Sequence, residues 1–136
     1  MNSSEYKTDY IICPVREVSK QIVAILDDYV ARLEETGRPA HYPLRDVEQL
    51  TDHTGLRILS EHRVAMENCE RVRVYWNGKR EESFFDLGMA FSLKKPIIPI
   101  NRYDVEKIAV PEKKSFENVL LVLDREAKLK SVNDIY

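Results

Sequence analysis

Apolar residues follow two rhythms along the chain: short continuous runs, and stripes recurring every three or four positions. Asp9-Tyr10-Ile11-Ile12-Cys13-Pro14-Val15 is a run closed by proline, and it predicts a buried parallel strand. A stripe follows it. Val18, Ile22, Ile25, Leu26, Tyr29, Val30 and Leu33 recur at helical spacing, with Gly37 and Pro39 marking the end. A short strand is predicted over Ala40–Tyr42, stopped by Pro43. Leu44 to Gly55 reads as polar and turn-like, and loops of that length in compact domains tend to be functional. A second helix is predicted over Leu56–Asn68, with Ile58, Leu59, Ala65, Met66 and Cys69 on one broad face.

Val72–Trp76 reads as a third strand, and Asn77-Gly78 as a sharp turn. A helix from about Ser83, with Phe84, Leu87 and Phe91 along one face, leads into a fourth strand over Ile97–Ile100 that ends at Asn101. Tyr103–Lys114 is a weaker helical or loop segment. Val119-Leu120-Leu121-Val122-Leu123 is predicted as the fifth strand, residues 124–136 as a charged tail, and residues 1–8 as a flexible N-terminus.

Five short strands alternating with helices predict a single α/β domain over residues 1–136. Right-handed crossovers favour a flavodoxin-like or Rossmann-like, doubly wound, five-stranded parallel sheet in the order 2-1-3-4-5. Ligands of such sheets bind outside the carboxyl ends of the strands, near the switch point between strands 1 and 3. That rule selects Cys13 to Ser19, the 43–55 loop, Trp76 to Ser83, and Asn101, with Asp86 one helical turn from the rim.

Composition narrows the partners. A net charge of −2 over 136 residues gives no electrostatic case for a nucleic acid polymer or an anionic membrane. No apolar run approaches the roughly 20 residues that span a bilayer. Met1 to Thr8 is polar without a signal-peptide pattern, so a cytoplasmic location is expected, with Cys13 and Cys69 as two buried thiols. His41, His53 and His62 lack close metal spacing and the cysteines form no CxxC, so neither a metal nor a cofactor is expected.

The chain after the first strand, Cys13-Pro14-Val15-Arg16-Glu17-Val18-Ser19, holds no glycine-rich fingerprint, which disfavours a dinucleotide site and a P-loop. Arg16 and Ser19 either bind a phosphate at the first helix N-terminus or are a solvated arginine and a helix-initiating serine. Arg45, Asp46 and Gln49 lie within five residues and have the donors and acceptors to read sugar hydroxyls and a base edge; a solvated loop is the alternative. Trp76 at the rim either stacks on a base or caps the sheet. Asp86, expected in the first turn of its helix, lies in the field of the helix dipole that holds a carboxylate ionised. It is then a nucleophile or polar ligand-binding group, or simply a favourable N-terminal charge. Gly88 in mid-helix predicts close packing against the backbone, since glycine there costs about 1 kcal/mol against alanine.

Three stretches together resemble the nucleoside 2-deoxyribosyltransferase-like family, including its nucleotide N-glycosidase relatives. Tyr10-Ile11-Ile12-Cys13-Pro14 is similar to that family's first strand, Tyr-[Leu/Ile]-Ala-Gly-Pro, with Cys13 where glycine is usual. Residues 65–77 are similar to its helix-into-strand stretch, ending in Asn77 where an acidic rim residue is usual. Phe85-Asp86-Leu87-Gly88-Met89-Ala90, followed by Lys95-Pro96-Ile97, resembles the Glu-[Leu/Ile]-Gly-x-Ala…Lys-Pro-[Ile/Val] signature. The resemblance spans roughly residues 9 to 101.

It implies a carboxylate nucleophile, Asp86, that attacks the anomeric carbon of a nucleoside or nucleotide and displaces the base, with Tyr10 orienting it. Glu82 is the candidate acid or base. Arg16, Ser19 and Ser83 are the candidate phosphate contacts, and Pro14, Trp76, Asn77 and Asn101 join the substrate side. A homo-oligomer is also implied, with the aromatic helix around Phe84, Phe85 and Phe91 as its interface, although packing on the sheet is the preferred account of Phe84 and Phe91. Asp86 is one methylene shorter than glutamate, about 1.5 Å. That change, with Asn77 and Arg80 on the rim, motivates the alternative of a non-catalytic nucleotide-binding sensor or sequestering module. A TIR-type NAD hydrolase is a minor alternative from fold alone.

Overall fold

The computed structural model describes residues 7–47, 54–78 and 80–130, with the side chains of Arg80, Glu81, Glu82 and Lys130 left aside. Among these residues the elements are β1 (Asp9–Ile12), α1 (Lys20–Glu35), β2 (Ala40–His41), α2 (Pro43–Asp46), α3 (Leu56–Glu67), β3 (Arg71–Val74), α4 (Arg80–Ser92), β4 (Ile97–Pro99), α5 (Arg102–Ile108) and α6 (Phe116–Lys130). The strands form one parallel sheet in the order β2-β1-β3-β4. No helix among the described residues is long and apolar enough to cross a membrane.

Both sheet faces are covered, which is why the strands read as apolar runs. On one face Tyr10, Ile12, Val72, Val74 and Ile97 pack with Met66 of α3, Ala90 of α4 and Leu120 of α6. On the other, Ile11, Cys13 and Ala40 pack with Leu26, Val30 and Leu33 of α1. Ser19 caps α1, its Oγ accepting from the Ile22 amide at 3.1 Å. Gly37 at φ +88° ends the helix in the left-handed conformation that favours glycine. Beneath α1 a charged cluster crosses the sheet: Asp9 Oδ2 accepts from Arg73 Nε at 2.5 Å and its Oδ1 from Arg38 Nε at 2.8 Å.

Several expectations are corrected. Residues 119–123 are helical, so the described sheet has four strands. Phe116, Leu120, Leu123 and Ala127 recur at i, i+4, i+7 and i+11, a helical period that a five-residue apolar run hides. Ser115 Oγ accepts from the Asn118 amide at 3.1 Å, a cap that starts this helix. The expected tail is its continuation as far as Lys130. Thr8 is tied down, its amide donating to Pro39 O at 2.9 Å, while residues 1–6 lie outside the description. The 44–55 loop begins with α2, and residues 48–53, Gln49 among them, lie outside the described residues.

Candidate functional site

Helix α4 has two stripes with opposite chemistry. Among its described side chains Ser83, Asp86 and Ala90 are buried, at i, i+3 and i+7. Phe84, Leu87, Gly88 and Phe91 line a separate apolar groove of about 370 Å³, shared with Phe116 and Leu123 of α6. This groove lacks the polar groups a reaction needs. The polar stripe has them.

Asp86 is 7% exposed, and its Oδ1 lies 3.2 Å from Nδ1 of His62 on α3. Because α4 begins at Arg80, Asp86 is in the second turn, beyond the first-turn reach of the helix dipole expected to hold it. Its immediate partner is an imidazole instead. Tyr10 of β1 completes the contact from the sheet. Its ring and that of His62 make a T-shaped contact, with centroids 5.8 Å apart and planes at 73°. Its other neighbour is His41 of β2, stacked at 5.1 Å and 23°, because parallel pairing sets Tyr10 beside His41.

Tyr10, His41, His62 and Asp86 thus form a continuous cluster between the β1–β2 edge and helices α3 and α4. Burial, and then the negative field of Asp86, drives the Tyr10 hydroxyl far above its ordinary range, so it stays protonated. Burial lowers His41 to about 4 and keeps it neutral at pH 7, with Asp46 acting the other way and His62, Lys7 and Arg45 reinforcing the shift. Among the described residues, Tyr10 Oη, His41 Nε2 and His62 Nε2 are buried without a hydrogen-bond partner. An unmet buried polar atom costs roughly 1–3 kcal/mol, so three within one cluster mark a site suited to an external polar group.

The two residues expected to work together, Asp86 and Tyr10, are therefore neighbours, and Ser83 lies one turn before Asp86 on the same buried stripe. Glu82 is on α4, but its side chain lies outside the description. Arg45 and Asp46 approach the cluster through His41, yet their polar atoms are engaged nearby. Arg45 Nε donates to Asp46 Oδ1 at 2.7 Å, and its Nη1 to Glu34 Oε1 at 3.0 Å. Asp46 Oδ2 also accepts from the Tyr42 amide at 2.8 Å.

Trp76 is corrected from a stacking platform to a core residue. It is 1% exposed, stacks on Phe84 and donates from Nε1 to Glu117 Oε2 at 2.8 Å. Asn101 clips the Trp76 backbone, accepting from its amide at 2.8 Å and donating to its carbonyl at 2.5 Å. Ser19 spends its oxygen on the cap of α1, Arg16 is exposed, Pro14 is buried and Asn77 is half-buried. Phe91 is corrected as well: it is 64% exposed, facing the groove instead of the sheet. A Cβ at Gly88 meets nothing within 4 Å, so no close backbone packing explains that glycine; it lines the groove.

Sequence reasoning missed His41 and His62. The signal for His62 was present, since it stands four residues before Met66 on the buried face of α3. His41, on a two-residue strand, left no comparable pattern. Among the described residues no group of three or more His, Cys, Asp or Glu side chains has the arrangement of a metal site. No protein-family model matches the chain, and no curated protein sequence does.

Proposed function

We propose that the protein cleaves or transfers the N-glycosidic bond of a nucleoside or nucleotide, with Asp86 as the nucleophile. The observation that carries this reading is that the buried Asp86 carboxylate lies within electrostatic reach of the protonated Tyr10 hydroxyl, both residues touching His62. These are the two positions at which the chain resembles the deoxyribosyltransferase-like family in its catalytic pair. A carboxylate oxygen of Asp86 forms a bond to the anomeric carbon as the C–N electron pair leaves with the base. A general acid, for which Glu82 is the candidate, supplies the base with its proton. Water or a second base then takes the sugar, and the carboxylate is released. Tyr10, held protonated and without a hydrogen-bond partner among the described residues, keeps its donor for the carboxylate or the substrate as the reaction proceeds.

A ligand-binding role without turnover is the second reading, favoured by the near-complete burial of both Asp86 and Tyr10. The exposed aromatic residues of α4 also support a homo-oligomer, since Phe85 and Phe91 are 63% and 64% exposed. Light scattering that finds only a 15.9 kDa species refutes that part.

The test is incubation with ribo- and deoxynucleosides, their 5′-monophosphates and NAD, with and without acceptor base, followed by chromatography. Free base from the wild type and none from Asp86→Asn is expected. Base release that persists in Asp86→Asn overturns the assignment. Melting shifts without product move the conclusion to a binding module.

A further inference from the structure

Resting on the reading of Asp86 as the reacting carboxylate, we propose that His62 is the positioning residue that aims it. His62 lies outside all three stretches' catalytic positions and is fixed by geometry alone. It shares the buried stripe of α3 with Met66, where a purely apolar side chain would fill the same space without the cost of desolvating an imidazole. Its Nδ1 reaches Asp86 Oδ1 at 3.2 Å, while the T-shaped contact with the Tyr10 ring restrains the plane of the imidazole.

A carboxylate on a two-torsion side chain, held through one oxygen, has little freedom left. The second oxygen then keeps a single direction. This matters because Asp86 is shorter than the glutamate of the family it resembles, and a placement error of about 1 Å can cost ~100-fold in rate. A hydrogen bond donated to the carboxylate requires the proton on Nδ1. In neutral His62 that leaves Nε2, which is buried and without a partner among the described residues, as an acceptor. One imidazole therefore locks the carboxylate and turns a lone pair inward.

The first arm of the test needs neither activity nor a variant: long-range ¹H–¹⁵N NMR of the wild-type imidazoles at pH 8. A protonated Nδ1 on His62 is expected, and a bare Nδ1 with the proton on Nε2 overturns the inference. The second arm uses the base-release assay on two variants. His62→Asn keeps an N–H near the Nδ1 position, and is expected to retain kcat within about tenfold. His62→Leu keeps bulk without a donor, and is expected to lose about 100-fold in kcat with KM little changed. Equal activity in the two variants overturns the positioning role while leaving the glycosidic reading intact. A wild type that releases no base from any substrate overturns the glycosidic reading and the aiming role with it, whatever the tautomer.

Discussion

His41 makes the stability of this fold depend on pH in a window that can be calculated. Burial lowers its folded value to about 4, whereas the ordinary value is 6.5. Between these values the unfolded chain binds a proton that the folded chain refuses. Stability therefore rises with pH through the window and falls as pH drops from 6.5 towards 4. Each unit of difference is about 1.4 kcal/mol, so moving from pH 7 to pH 5 costs the fold about 2 kcal/mol through this residue. At urea slopes of roughly 1–3 kcal/mol per molar, that is about 1 M in midpoint. His41→Phe keeps a ring to stack on Tyr10 and removes both the titrating group and its unpartnered Nε2. The assay is urea unfolding of both proteins at pH 7 and pH 5. The wild-type midpoint is expected to fall by about 1 M more than that of His41→Phe, which at pH 7 is no less stable. Parallel falls in the two proteins refute the reasoning, because Asp46, Arg45, Lys7 and His62 remain in both.

Three further outcomes follow from packing. Asp9→Leu leaves Arg73 buried without its carboxylate and is expected to cost about 3–5 kcal/mol, with Asp9→Leu/Arg73→Met recovering much of that in the same unfolding experiment. Burial pushes the Cys69 thiol up to about 11, so thiol titration at pH 8 is expected to label it only on unfolding; rapid labelling of native protein contradicts its placement. Ser19→Ala removes the cap of α1 and is expected to lower stability by about 1 kcal/mol, without changing any ligand-induced melting shift. A lost shift in that variant returns Ser19 to the phosphate contacts.

The sheet was legible wherever one physical cause dominated. Asp9–Ile12, Arg71–Val74 and Ile97–Pro99 are buried on both faces and lie within the predicted runs or one residue beyond them, and their order follows the first four positions expected. α1 was legible from its stripe and its terminal glycine. Val119–Leu123 misled because five apolar residues satisfy a strand and a helix alike, and only Ser115 and Ala127 beyond the run decide between them. Asp86 stood out from its place near a helix start, whereas Tyr10 and the pairing of the two came through motif resemblance, since no local pattern pairs residues 76 positions apart. His62 was readable as a polar residue on an apolar stripe, but its partner on α4 was not. Trp76 was misplaced because a strand end gives no sign of whether a neighbouring helix covers it, as Phe84 and Glu117 do.

Asp86 as the nucleophile is tested most directly by trapping with a nucleoside bearing fluorine at the sugar 2-position, which slows breakdown of a glycosyl-enzyme ester. Intact-mass measurement is expected to show one added sugar mass, and peptide mapping to place it on Asp86 within Phe85-Asp86-Leu87. A sugar adduct on another residue, or base release from the fluorinated substrate with no adduct at any time point, contradicts Asp86 as the nucleophile.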